Sequence, residues 1–357
     1  MKIQRLRLKN FKRFGDTELN FCDPETGLAK DLIVLVGENR AGISSLLQAI
    51  AAMLGCATGR LDSPASLVWP GFDWDLIDQT WSDSSEIELT VTFNRDEIEA
   101  TREYFARLSD DDEQDAMWPA KSQDVTLTLN AEKQQVSANT LAELYQFRGR
   151  EYARLLFRKA KEQTALFERV GTVFWYTEQR TTNSLTPIKE NGHQIHFDMN
   201  LLRRRLSDWM SFHERITRGE WTLRSGQRDI YANLTKAYQT VFPHKRFFGT
   251  VPRANIDDLL ADPWFYLFDG QRTYELGEMS GGERAIFPIL LDFANWNINH
   301  SVILIDELEL HLHPPLQQGL LGALRRFGKN NQFIITTHSD AVAAVIPPDS
   351  LYRLEVE

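Results

Sequence analysis

Two cysteines, Cys22 and Cys56, are all that the 357 residues contain, and they form no Cys-x-x-Cys pair. No disulfide framework is suggested, and a reducing compartment is expected. Long apolar runs are missing too: none approaches the roughly 20 residues that a bilayer-spanning helix needs. The first residues are basic and amphipathic, without a signal-type apolar stretch. These absences predict a cytoplasmic protein with no membrane partner. An overall positive charge is also lacking, since 40 Lys+Arg stand against 50 Asp+Glu, which argues against a uniformly basic nucleic-acid binder. Apolar side chains, by contrast, make up 42% of the chain. That excludes a disordered chain and supplies one large core or two modest ones.

The most informative stretch runs from Glu278 to Asp340. Val302-Ile303-Leu304-Ile305 has no polar alternation, so it reads as a fully buried strand of a parallel sheet. Its carboxyl end delivers Asp306 and Glu307 to the open edge of the sheet, where ligands bind in such folds. An Asp there holds Mg²⁺ in its second shell, and a neighbouring Glu polarises an attacking water. Ahead of it, Ser280-Gly281-Gly282 opens a helix expected over 283–295 and offers a hydroxyl and unhindered N–H groups to an anion. Beyond it, a second buried strand over 332–336 leads to Thr337-His338-Ser339.

Near the start, a buried strand Leu32-Ile33-Val34-Leu35-Val36 meets an apolar helix expected over 46–54. Between them lies Gly37-Glu38-Asn39-Arg40-Ala41-Gly42-Ile43-Ser44-Ser45. A P-loop needs two glycines five apart, then Lys, then Ser or Thr, because its N–H groups wrap phosphates, the Lys reaches the β and γ oxygens and the hydroxyl binds Mg²⁺. Gly37, Gly42 and Ser44 hold their places. Ile43 takes the place of the lysine, and supplies neither charge nor donor. Two explanations stay open: a laboratory substitution that traps a bound or assembled state, and natural decay into a nucleotide-sensing subunit.

The order of these pieces resembles the P-loop, signature, Walker B and H-loop series of ABC-type ATPases, in their SMC/RecF-like and OLD-like branch. The opening strand Ile3 to Leu8, leading into Asn10-Phe11-Lys12, also resembles the first strands of such heads. The resemblance covers roughly residues 1–56 and 270–357. It implies a P-loop α/β fold of ABC type, with a mixed parallel sheet, flanking helices, an antiparallel β subdomain and a helical insertion. It implies ATP and Mg²⁺ as ligands. Gly37, Asn39, Arg40, Ala41, Gly42, Ile43, Ser44, Ser45, Ser280, Gly281 and Gly282 would contact the nucleotide, Ser44 and Asp306 the metal, and Glu307 and His338 the reacting phosphate.

Between the two halves, Glu86 to Phe93 and Val125 to Leu129 alternate as antiparallel strands should, with a helix over 96–108 between them. Leu61 to Trp81 reads as a loop with aromatic anchors, its tryptophans packed on the head or, as the alternative, forming a partner site. Residues 148–253 carry 20 Lys+Arg against 10 Asp+Glu, on segments that read as helical apart from a strand over 171–176. Nucleic acid, an acidic protein and no partner at all are the readings of that basic lobe. The expected divisions are 1–135, 136–255 and 256–357. Placement after the insertion suggests that Gln179 or Arg180 approaches the nucleotide. Glu309, His311 and His313 are better matched to the Leu-His-Pro segment of OLD-like ATPases, a dimer-interface element, than to a metal site.

OLD nucleases resemble this head but continue into a Toprim domain that the sequence lacks, so any nuclease is expected as a separate effector chain. ATPase subunits of anti-phage systems such as PARIS and Septu are similar in build. The resemblance implies a homodimer or higher homo-oligomer with ATP sandwiched between protomers, an effector in trans and a phage protein as trigger. A RecF-like DNA-repair ATPase is the alternative, and a non-hydrolysing nucleotide module is a third.

Overall fold

The computed structural model describes residues 1–357 except 39–40, 78–83, 110–116, 132–133, 161–163, 179–198, 225–226, 253–262 and 355–357. In chain order the strands are β1 (Lys2–Phe11), β2 (Phe14–Asn20), β3 (Leu32–Gly37), β4 (Glu86–Thr92), β5 (Asp124–Asn130), β6 (Gln135–Ser137), β7 (Val173–Tyr176), β8 (Arg246–Val251), β9 (Trp264–Phe268), β10 (Thr273–Glu275), β11 (Val302–Ile305), β12 (Gln332–Thr337) and β13 (Leu351–Leu354). The helices are α1 (Ile43–Ala57), α2 (Arg95–Leu108), α3 (Leu141–Gln146), α4 (Gly149–Ala160), α5 (Met199–Thr217), α6 (Ile230–Val241), α7 (Gly281–Trp296), α8 (Pro314–Leu324) and α9 (Asp340–Ala343).

The first of two units comprises Met1–Glu178, Ile298–Leu308 and Gly328–Glu357. Its parallel sheet has the order β13-β3-β12-β11-β7. Because every neighbouring pair is parallel, the carboxyl ends of β3, β12 and β11 share one edge. Both faces are covered, which is why Val302–Ile305 and Val173–Tyr176 are buried at every position. The second sheet, β2-β1-β4-β5-β6, is antiparallel, and its alternation matches the period of two expected for one packed face. Helix α1 packs on strands of both sheets, so it is apolar nearly all round: Leu46, Leu47, Ile50, Met53 and Leu54 are fully buried. Each contributes on the order of 2 kcal/mol by burial. Beside this core, α2 and α4 pack through Tyr104, Ala153 and Leu156.

The second unit comprises Gln179–Asn297 and Glu309–Phe327. The expected insertion over 136–255 therefore coincides with neither unit. Within the second unit, α6 packs on α7 and α8, with Tyr238, Phe247 and Phe287 stacked edge to face or ring on ring. The sequence reads 136–255 as mostly helical, but Arg246–Val251 is a strand of an antiparallel sheet of order β10-β9-β8. The physical reason for the miss is that Trp264-Phe265-Tyr266-Leu267-Phe268 is apolar or aromatic on both faces, which hides the period of two. A bulge between Phe247 and Gly249 adds a second irregularity. Gly249 has φ 121° there, a conformation that side chains rarely adopt.

Among the described residues, several basic side chains of 148–253 are met by acids or rings. Arg169 pairs with Asp96 and Glu103, Arg203 with Glu275 and Lys245 with Glu283, while Arg246 lies over Phe268. Among the described residues, no helix is long and apolar enough to cross a membrane.

Candidate functional site

Gly37 closes β3, and the chain reaches α1 through Ala41 and Gly42; Asn39 and Arg40, between them, lie outside the described residues. Two glycines are needed here for steric reasons. A Cβ on Gly37 would stand 2.7 Å from that of Ala41 and 3.2 Å from Ile43 Cγ2. Gly42, the N-cap of α1, has φ 76°, and a Cβ there would meet the Arg13 stem and Phe14. The first turn of α1 then presents Ile43, Ser44 and Ser45. It has no acidic residue, so its N–H groups and helix dipole favour an anion.

Ser44 Oγ donates to Asp306 Oδ1 at 2.9 Å, across 262 residues of sequence. Asp306 lies just past the end of β11 and is 3% exposed. Its Oδ1 also accepts from Thr336 Oγ1 at 2.6 Å, and its Oδ2 accepts from Trp69 Nε1 at 3.3 Å. Thr336, from β12, in turn accepts from the Glu307 N–H at 2.8 Å. Glu307 adopts φ 46°, a left-handed conformation that costs a non-glycine residue about 1 kcal/mol; this hydrogen bond holds it where the chain leaves the strand. His338, just beyond β12, has Nδ1 at 2.6 Å from the Gly37 carbonyl. A carbonyl only accepts, so Nδ1 carries the proton and, in the neutral ring, Nε2 carries the lone pair.

The parallel edge thus brings together Gly37, Gly42, Ser44, Asp306, Glu307 and His338, all in the first unit. Hard oxygens on Ser44 and Asp306, held rigidly and few in number, suit a magnesium ion that keeps most of its water. The fit to a triphosphate is partial. Glycine-lined backbone at the helix start is present, but Ile43 is 3% exposed and packed in the unit's core, so position 43 supplies packing and no cation.

Ser280, Gly281 and Gly282 belong to the second unit. Ser280 is the N-cap of α7 in a capping box: its Oγ accepts from the Glu283 N–H at 3.3 Å and its N–H donates to Glu283 Oε2 at 3.0 Å. The Ser280 hydroxyl donates to the same oxygen at 2.8 Å. Glu283 is 2% exposed. Burial alone would raise its carboxyl, but hydrogen bonds from Tyr238, Tyr274 and Lys245 outweigh that and hold it below the usual carboxylate range. A Cβ on Gly282 would stand 3.2 Å from the His311 carbonyl, so the turn is packed against the Leu-His-Pro segment.

Gln179 and Arg180 lie outside the described residues. Among the described residues, no group of three or more His, Cys, Asp or Glu is placed to hold a metal ion, and Glu309, His311 and His313 form none. Thr336 and Trp69 at the sheet edge of the first unit, and Tyr238, Tyr274 and Lys245 around Glu283 in the second, have places that the sequence reading did not assign. Thr336 adjoins the quoted Thr337-His338 motif and was within reach of it. Trp69 was expected to pack on the head, and it does, but its hydrogen bond spans 237 positions and left no local signal.

A family described as AAA ATPase domain matches residues 1–343. Over 89 residues the chain is 36% identical to the retron Ec83 probable ATPase of Escherichia coli, a stretch covering 22% of this chain and 16% of that protein. It is 30% identical over 84 residues to the retron Vc95 probable ATPase of Vibrio cholerae, covering 20% of this chain and 16% of that one. The chain therefore aligns with less than a fifth of the length of either relative. A crystal structure of an SMC head bound to the C-terminal winged-helix domain of ScpA superposes with TM-score 0.51 at 16% identity, over 96% of this chain and 91% of that one. The architecture is that of an SMC head, a P-loop ATPase fold of ABC type.

Proposed function

The chain belongs to the AAA ATPase domain family, and from that premise we propose that it is a nucleotide-operated sensor and scaffold. In this reading it holds a separate effector, of nuclease or Toprim-like kind, and releases it during phage infection. The observation that carries the nucleotide part is the Ser44–Asp306 hydrogen bond, which joins the helix start to the strand-end carboxylate as a metal pole requires. Bound magnesium would neutralise phosphate charge there. Ser44 and Asp306 would hold it, Glu307 would orient a water, and His338 would face the terminal phosphate through Nε2. Kinship with probable retron ATPases supports the defence setting.

Ser280 with its two glycines acts, in this proposal, on the nucleotide of a second protomer, so that ATP is sandwiched and assembly follows nucleotide state. Burial of Ile43 favours slow turnover, and with it a state in which binding outlasts hydrolysis. Sedimentation of the Ile43→Lys form with and without ATP and Mg²⁺ tests the assembly. A dimer that appears with ATP and is lost in Ser280→Arg is expected; an unchanged mass on adding ATP and Mg²⁺ contradicts it.

A further inference from the structure

Asp306 has two carboxylate oxygens, and only one of them serves the Ser44 side. The other, Oδ2, accepts from the indole of Trp69, which is 4% exposed and part of the first unit's core. A buried indole N–H needs an acceptor, and here it has taken the carboxylate that the Ser44 hydroxyl also uses. The loop that carries Trp69 is itself tied down. Gln48 Nε2 donates to the Pro70 carbonyl at 3.0 Å, and Lys12 Nζ donates to the Gly71 carbonyl at 2.8 Å and to Gln48 Oε1 at 2.6 Å. Phe72 lies against the Lys12 ammonium, 5.4 Å from the ring centre. The donor therefore comes from a braced segment, with α1 supplying Gln48 and the β1 end supplying Lys12.

We infer that Trp69 is a positioning residue for the metal pole: its N–H fixes the rotation of the Asp306 carboxylate so that Oδ1 stays turned to Ser44. A carboxylate held at one oxygen swings about its Cβ–Cγ bond; held at both, it presents one edge. This rests on reading the sheet edge as a magnesium–nucleotide site. Outer donors of this kind typically change metal affinity by about tenfold or more.

Trp69→Phe keeps the ring and removes the donor. Calorimetric titration with ATP across a Mg²⁺ series is expected to show the Mg²⁺ midpoint raised about tenfold, with ATP binding in EDTA unchanged. In an Asp306→Asn background, where Mg²⁺ dependence is itself expected to be lost, the same substitution is expected to leave ATP binding unchanged both with Mg²⁺ and in EDTA, because the indole acts through that carboxylate. A purely structural indole would lower the melting temperature and weaken binding in EDTA without moving the Mg²⁺ midpoint, and that pattern overturns the assignment. If Trp69→Phe does not fold, Gln48→Leu, which frees the Pro70 carbonyl, is expected to move the midpoint in the same direction; no movement there overturns the inference. A wild-type protein with no Mg²⁺-dependent binding removes the site reading and the inference together, whereas a responsive wild type matched by Trp69→Phe removes Trp69 alone.

Discussion

His338 donates its Nδ1 proton to the carbonyl of Gly37, 2.6 Å away, and so ties the end of β12 to the end of β3. Nδ1 braces the two strand ends, and the proposed nucleotide contact would fall to Nε2. His338→Asn places an amide N–H₂ near the Nδ1 position but has no atom at the tip. It is expected to melt within a degree or two of the wild type and to bind ATP about tenfold more weakly, the loss of one hydrogen bond to a charged group. His338→Ala is expected to lose stability as well. Differential scanning fluorimetry with and without ATP separates the two effects.

Ile43→Lys is expected to raise steady-state ATP turnover roughly 10²-fold, the usual worth of one charged contact to the transition state. It is also expected to lower stability by about 2 kcal/mol, because it removes a buried isoleucine. Equal turnover in both forms would contradict the assigned place of Ile43 in the loop.

Glu283 holds the Ser280 turn through a buried carboxylate shared by Ser280, Tyr238, Tyr274 and Lys245. Glu283→Gln leaves Lys245 without its counter-charge. A cost of about 2 kcal/mol is expected, at the low end for a broken buried pair because the lysine is 27% exposed. Lys245→Met in that background should recover part of it. Because the carboxyl is held below its usual range, its contribution is present at neutral pH and is lost as pH falls through that depressed value. Urea unfolding of the wild type and the two variants, at pH 7 and through an acid series, measures this.

His300 supplies the opposite chemistry. Burial, helped by the nearby Met1 ammonium, pushes its imidazole down to about 4, and Nδ1 meets the Asn94 amide at 2.7 Å. The unfolded chain takes up a proton near pH 6.5 that the folded one does not. Stability is therefore full above about 6.5 and declines as pH falls to about 4, by on the order of 3 kcal/mol. His300→Gln should flatten that part of the stability curve, as measured by chemical unfolding between pH 7 and 4.

Strands β3 and β11 were legible because four or five consecutive branched residues suit a strand buried on both faces, and they carried the reading to Ser44 and Asp306 beyond their ends, whereas His338 was reached through the family resemblance. What was not legible spans the sequence at long range. Nothing near Trp69 announces a carboxylate 237 positions away, and Thr336 links Glu307 to Asp306 through a hydroxyl that sequence reads as ordinary strand. The sheet of β8, β9 and β10 was hidden by aromatic residues on both faces. The excess of arginine over 148–253 left nucleic acid, an acidic protein and no partner as open readings, and charge alone did not show that Arg203 is buried in a two-pronged bond to Glu275, at 2.8 Å for each contact.

The measurement closest to the heart of the account is calorimetric titration of ATP into the wild type and Asp306→Asn, with Mg²⁺ and with EDTA. Binding that strengthens with Mg²⁺ in the wild type and is indifferent to Mg²⁺ in Asp306→Asn is the expected result. Identical Mg²⁺ dependence in the two proteins, or no binding to either, would contradict it.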